Sequence, residues 1–213
     1  MSETRPQPCR VRKESIFNSL LVGLLMERGL VPAGSVIDAG AHTGTETCLY
    51  AQAAPERTVH AVEPLYMNAR RIQASLRHLP NVQVIQAGLG ETPSVVRPSS
   101  GMLGVGQMFT PGKVREMTAV KAPSNTSDES ATHKHASQVG KNVFSRLFFQ
   151  VHRVDDLFAH NWKGEKLGFA HFDVEGMELA VLQGAAATIR RDSPWFTTEL
   201  FVHHDQGWSS YPV

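Results

Sequence analysis

Five carboxylates in this chain stand where apolar runs stop or just beyond. Asp38 follows Val36-Ile37, Glu63 follows the run Thr58–Val62, Asp173 closes Leu167–Phe172, Glu175 comes two residues later and Glu199 ends the run from Trp195. A carboxylate can hold hydroxyls or a cation by hydrogen bonding, or take a proton as a general base. The most informative surroundings belong to Asp38, in the stretch SVIDAGAHTGTETC from Ser35 to Cys48. Two β-branched residues precede it, Gly40 and Gly44 follow it, and a helical run then passes through Tyr50 and Ala53. Strand, glycine-bearing turn and helix in that order make a nucleotide-cofactor site. The glycines are expected to leave room for ligand beside the backbone, and the helix N-terminus offers unpaired N–H groups.

The spacing narrows the cofactor. A dinucleotide fingerprint reads G-x-G-x-x-G and opens its helix on a pyrophosphate. Here the pattern is Asp38-x-Gly40-x-x-x-Gly44, and a carboxylate at that position repels a pyrophosphate. It can accept hydrogen bonds, directly or through water, from a cationic amino-acid ligand. S-adenosylmethionine, with a sulfonium, an ammonium and no phosphate, fits that description. Glu63, nineteen residues after Gly44, ends the second strand of the unit, where an acid takes two ribose hydroxyls. It is equally placed to be an acidic N-cap of the following helix, and one side chain can do both.

The elements that must position these acids can be read in chain order. Lys13–Arg28 carries Ile16, Phe17, Leu20, Leu21, Leu24 and Leu25 on one helical stripe, with Gly29 as its C-cap. This helix is expected to cover the sheet edge or the cofactor cleft. Strands are expected at the Val36 run, Thr58–Val62, Val82–Gln86, Leu167–Asp173 and Trp195–Leu200. Helices are expected over Leu65–Leu79 and from Met177 to Ala185, and a capped helical turn at Asp155–Phe158. Residues 87–90 read as the exit loop of the third strand, placed to line an adenine. Val95-Val96 and Gly104–Phe109 read as short strands, Phe144–Arg153 as a further strand, and 121–142 as a polar, flexible surface insertion. In Leu167–Asp173, Phe169, His171 and Asp173 share one face, and Ala170, Phe172 and Val174 the other.

The order βαβαβ, insertion, βαβ implies an α/β fold with an open, doubly wound, mostly parallel sheet and ligands at the strand C-termini. At 213 residues and 41% hydrophobic, the chain can bury one sizeable core. Two units are expected: an N-terminal tail and covering helix over 1–34, and the main domain over 35–213 with its insertion at about 91–150. A net charge of +1 with interspersed signs leaves no nucleic-acid footprint. The apolar run from Leu20 to Met26 is too short for a membrane span and lacks a cleavage site for a signal peptide. Two cysteines, Cys9 and Cys48, make no disulfide framework and fit a reducing compartment, so a cytoplasmic protein is expected. His133 and His135, and the compact His203-His204-Asp205, make no metal site, and no metal is expected. Asp173, Glu175 and Glu199 would suit Mg²⁺, but nothing in their spacing demands it.

VIDAGAHTGTET, HAVEPLYMNARRIQASL, VHRVDDLF and HFDVEGMELAVLQGA together resemble the FkbM-type family of S-adenosylmethionine-dependent methyltransferases, over roughly residues 35 to 200. The most specific piece is Asp173–Glu178 followed by Leu182-x-Gly184-Ala185. The resemblance implies a Rossmann-like class I methyltransferase fold and methylation of a hydroxyl on a sugar, polyketide or other small metabolite. It makes Asp38, Gly40, Ala41 and Gly44 the loop at the methionine end of the cofactor, with Glu63 on the ribose and Asp173 and Glu175 beside the transferring methyl. His42 stands where the family usually has asparagine, so its cofactor contact is open, and His171 where lysine is common. The family usually continues past the fifth strand through a helix and an antiparallel strand pair, whereas this chain ends thirteen residues after Leu200. A sheet without its last strands, its fifth strand left as an open edge, is one expectation.

The expected reaction is in-line displacement of a sulfonium methyl by a substrate oxygen, aided by positioning and by a base. Glu175, Glu199 and His203 are the candidate bases, in that order, and Asp173 is an orienter. Each has a structural alternative: Glu175 as an anion at a helix N-terminus, Glu199 bound to backbone, His203 at the surface. The expected partner is a small-molecule or glycan hydroxyl acceptor, with no nucleic acid and no membrane. Two other classes remain: an NAD-dependent oxidoreductase, and a catalytically silent cofactor-binding protein.

Overall fold

The computed structural model describes residues 9, 16–97, 148–204 and 207–211. The expected strand at 104–109, the insertion at 121–142, residues 13–15 of the first helix, His133, His135 and Asp205 all lie outside the described residues.

The first half of the chain alternates as expected: α1 (Ile16–Glu27), β1 (Ser35–Ala39), α2 (Thr45–Ala53), β2 (Val59–Val62), α3 (Tyr66–Ser75) and β3 (Val82–Ile85). The second half brings β4 (Ala87–Leu89), β5 (Ser94–Val96), β6 (Phe149–His152), α4 (Val154–Asp156, continued by a π turn at Leu157–Asn161) and β7 (Leu167–Phe172). α5 (Glu178–Gly184), α6 (Ala186–Asp192), β8 (Trp195–Thr198), β9 (Leu200–His204) and β10 (Gly207–Tyr211) follow. The central sheet has the order β3-β2-β1-β7-β8 and every neighbouring pair is parallel. This is the doubly wound α/β sheet expected.

The two faces of β1 and β7 feed two separate cores, as the two-residue period requires. Val36, Val59, Ala61 and Phe169 point toward Val22 and Met26 of α1, Cys48, Tyr50 and Ala51 of α2, and Ile72 of α3. Ile37, Ala39, Ala170 and Phe172 point toward Val154, Leu157, Phe158, Trp162, Val181 and Ala185. Gly184 owes its identity to this second layer, since a Cβ there would lie 2.1 Å from the carbonyl oxygen of Gly90.

Several expectations are corrected. The stretch 87–90 is not an exit loop: Ala87–Leu89 form β4, paired with β6 in a small sheet of order β4-β6-β5. Ala87 and Leu89 are buried there. α1 ends at Gly29 as read, with Leu30 N–H bonded to Leu25 O and Gly29 N–H to Met26 O, both 2.9 Å. Its buried face, however, is rotated from the expected stripe. Ser19, Val22 and Met26 face α2, while Leu20, Leu21 and Leu24 are about half exposed. The hydroxyl of Tyr50 donates to Ser19 (3.3 Å), and Gly23 brings the α1 backbone close to Ala53. Small side chains permit that approach, and leucines on that face would not. The helix expected from Met177 to Ala185 is α5, and a further helix, α6, follows it directly after Ala185. α6 is capped from a distance: Asp155 accepts the N–H groups of Thr188 (2.8 Å) and Ala187 (3.2 Å).

The cysteines overturn the expectation drawn from them. Cys9 and Cys48 are joined by a disulfide that ties the start of the chain to the first turn of α2. Closing a loop of this size stabilises a fold by about 2–4 kcal/mol through the entropy it removes from the unfolded chain. The thiols that pointed to a reducing compartment are therefore not free. Among the described residues no helix is long and apolar enough to cross a membrane. Past β8 no helix intervenes among the described residues before the antiparallel pair β9–β10, which forms its own sheet rather than joining the central one.

Candidate active site

The parallel register sets the site. Val62 lies opposite Ala39, Ala39 opposite Phe172, and Phe172 opposite Thr198. The next residue on each strand therefore falls on one line across the carboxyl end of the sheet: Glu63, Gly40, Asp173 and Glu199. Chain order reverses direction between β1 and β7, the position where sheets of this kind bind ligands. The loop 40–44 and the turn 173–178 rise on either side of that crevice.

The loop is built by backbone bonds. Gly40 N–H donates to Val62 O (2.9 Å), Gly44 N–H to Ala41 O (2.6 Å), and Asp173 N–H to Ala39 O (3.0 Å). Gly40, at φ +82, is required for a reason other than ligand room. A Cβ there would stand 1.8 Å from the carbonyl oxygen of Asp173, so the glycine lets the ends of β1 and β7 close on each other. Gly44 opens α2 at φ +76. His42 is exposed, adopts φ +46, and donates its backbone N–H to Oε2 of Glu63 (2.8 Å). That left-handed conformation is uncommon for a residue other than glycine, with asparagine, aspartate and histidine the usual exceptions.

Glu63 is 3% exposed and holds two elements together. Besides His42 it accepts, at Oε1, Leu65 N–H (2.9 Å) and Asn68 Nδ2 (3.3 Å) at the start of α3. Burial raises its pKa and these donors oppose the rise. The capping role is thus observed, and one acceptor position on Oε2 is left for a ligand hydroxyl.

Asp38 is 1% exposed and takes the hydroxyl of Thr47 on α2. Burial above all, with the nearby charges of Asp173 and Glu63, pushes its pKa up to about 7. The folded protein holds this proton more tightly than the unfolded chain, whose carboxyl titrates near 3.8. Stability is therefore lost as pH rises from about 4 to about 7, with no further loss above. Asp38→Asn keeps an acceptor for Thr47 and removes that loss. Its melting temperature is expected to exceed that of the wild type by a margin that grows from pH 5 to pH 8, as thermal melts at the two pH values would show.

On the other side, Glu175 adopts φ +55 and Gly176 φ +94. A non-glycine residue in that region costs about 1–2 kcal/mol, and His42 and Glu175 place two such residues on the two rims of one crevice, a pattern typical of functional sites. Glu175 titrates high because of burial and then the charges of Asp173 and Glu178. Glu199 is pushed up to about 6 by burial, by Asp173, Glu175 and Glu178, and by a side-chain hydrogen bond with Asp173. His171 bonds through Nδ1 to Thr197 Oγ1 (2.9 Å), and burial lowers its pKa. His203 lies in β9, where side chains are outside the described residues.

The site thus gathers Asp38, Glu63, Asp173, Glu175 and Glu199 from four strand ends. Sequence reasoning missed Glu46 in the first turn of α2, whose pKa is raised by burial and by Asp38, and which interacts with His171 and Asp173. An acid one turn past the glycines was the available signal. None of these carboxylates forms an ion pair with a lysine or arginine among the described residues. Among the described residues, no three metal-ligating side chains are placed so that they could hold one metal ion.

A family model described as the Methyltransferase FkbM domain matches residues 38–212, from the first of these carboxylates to the end of the hairpin. The chain belongs to this family. Among solved structures, the FkbM domain is similar to a SAM-dependent O-methyltransferase from Thermotoga maritima, at 14% identity and a TM-score of 0.30 over 44% of this chain. The match spans about half (48%) of that protein's length. No curated protein matches significantly.

Proposed function

We propose that this FkbM domain transfers a methyl group from S-adenosylmethionine to a hydroxyl oxygen of a sugar, polyketide or other small metabolite. The observation that carries the reading is the line of carboxylates at the strand ends, none of them paired to a basic side chain among the described residues. Such a site is matched by a ligand that brings positive charge and is unsuited to a pyrophosphate. The residues fit the cofactor: buried acids oppose its sulfonium and ammonium, the free position on Glu63 Oε2 can take a ribose hydroxyl, and the N-terminus of α2 faces the same crevice.

When bound, S-adenosylmethionine supplies a methyl group on a positively charged sulfur, open to displacement by oxygen. The chain's part is to hold and deprotonate. Asp38 and Glu46 favour the cationic end from beneath, and the loop 40–44, its amides at Gly40, Ala41, His42 and Gly44 held by internal bonds, forms a preshaped rim. Asp173 orients, and the hydrogen bond it accepts from protonated Glu199 is given up on ionisation, which leaves a free carboxylate at the mouth of the crevice. With a pKa of about 6, Glu199 is ionised at neutral pH yet still basic enough to take the proton of an attacking hydroxyl. Glu175, on the opposing turn, is the alternative acceptor.

Calorimetric titration with S-adenosylmethionine and S-adenosylhomocysteine, with NAD⁺ as control, tests the reading. Micromolar binding of the first two, abolished by Asp38→Ala and weakened by Glu63→Ala, is expected. A folded protein that binds neither, or that binds NAD⁺ instead, would refute it.

A further inference from the structure

The segment Asp173–Glu178 is the most specific piece of the family motif, yet its last acid has so far entered only as a charge acting on Glu175 and Glu199. The side chain of Glu178, 6% exposed in the first turn of α5, folds back over the turn that precedes it. A single oxygen, Oε1, accepts the N–H groups of both Val174 and Gly176, each at 3.1 Å. The change of handedness from Val174, which is not at positive φ, to Glu175 at φ +55 turns the amides of Val174 and Gly176 toward one point, as in an anion-binding nest. Here the anion is internal. The nest is filled by the protein's own carboxylate and is not open to a phosphate.

We propose that Glu178 is a positioning residue: its carboxylate fixes the 173–178 turn in the shape that presents Asp173 and Glu175 to the bound reactants. The inference rests on the methyltransferase reading of the site. The turn is anchored at its start, where Asp173 N–H bonds Ala39 O and the Asp173 carbonyl abuts Gly40, and at its end by α5. Between those anchors the left-handed backbone of Glu175 is sterically disfavoured. The two bonds to Glu178 oppose its return to an ordinary conformation. Relaxation there would swing the Glu175 side chain and loosen Asp173 against Glu199.

Two conservative variants of the full chain separate geometry from charge. Glu178→Gln removes the charge but keeps an oxygen at the same reach. Glu178→Asp keeps the charge but withdraws it by one methylene, out of reach of both amides. Hydrogen exchange at Val174 and Gly176, with β1 amides as reference, is read alongside calorimetry with S-adenosylhomocysteine and the melting temperature. The expected result is a glutamine variant within about twofold of wild type in both protection and affinity. The aspartate variant is expected to lose protection at the two amides and about tenfold in affinity while its β1 amides stay protected. The reverse order, or equal behaviour of the two variants, would overturn the proposal. A wild type that does not bind S-adenosylhomocysteine would refute the methyltransferase reading, and exchange at the two amides would still decide the role of Glu178.

Discussion

Gly40→Ala is expected to destroy the site and to remove a large part of the stability of the fold. At φ +82 an alanine is strained in itself, by about 1–2 kcal/mol. Its Cβ would also stand 1.8 Å from a backbone oxygen of Asp173. That neighbour is not a side-chain tip that can rotate away, and overpacking of this kind costs about 1–3 kcal/mol more. Relief can come only by parting β1 from β7, which removes the bond from Asp173 N–H to Ala39 O and separates the two rims of the crevice. Against a total stability of about 5–15 kcal/mol, a loss of roughly 2–5 kcal/mol leaves a marginal protein. Urea denaturation should show the midpoint falling accordingly, and calorimetry should show no binding of S-adenosylhomocysteine. A variant as stable as the wild type would mean that the two strand ends do not meet as described.

Glu199→Gln is expected to give the largest catalytic loss of any single change at the strand ends. Removing a general base lowers turnover by about 10²–10⁴-fold. Affinity for S-adenosylhomocysteine should stay within a few fold, because glutamine keeps the size and the hydrogen bond to Asp173. The pH profile gives the sharper reading. The base must be ionised, so wild-type turnover should rise through a midpoint of about 6 and level off above it. That limb should be absent from the residual activity of the variant. Retention of both the rate and the limb would move the role to Glu175. Methyl transfer from radiolabelled cofactor, across pH 5 to 8, measures both quantities.

What the sequence revealed and what it hid follow from the range of the forces involved. Every central strand but β3 is a short β-branched or aromatic run that stops at an acid or a glycine, so β1, β2, β7 and the acids at their ends were visible as local pattern. The division of β7 into two faces was visible for the same reason. β4 was not, because Ala87-Gly88-Leu89 has no strand signature of its own and exists only by pairing with β6, far along the chain. The buried face of α1 was misread because the helix is apolar nearly all round, and the choice was made by small residues, Ser19 and Gly23, that a hydrophobic pattern ignores. The disulfide was invisible because two cysteines give a count, not a geometry. In the site, the identity of the acids was legible but not their depth. Asp38 and Glu63 were read as ligand contacts, and both are nearly closed off by Thr47, His42 and Leu65. Gly40 was read as room for a ligand, and that room is filled by Asp173.

The pairing of β1 with β7 has a consequence in time. β1, β2 and β3 can assemble as soon as they leave the ribosome, but β7 starts at Leu167, well past the end of β3 at Ile85. At about 5–20 residues per second, the nascent chain carries a half-sheet for on the order of ten seconds. During that interval one edge of β1, the sequence SVIDA, is an unpaired and apolar template of the kind on which chains aggregate. The length of the intervening segment costs the finished protein little, since each doubling of a loop adds only about 0.6 kcal/mol. The burden falls instead on synthesis: yield should depend on translation rate, temperature and chaperone supply more strongly than on changes that stabilise the completed fold.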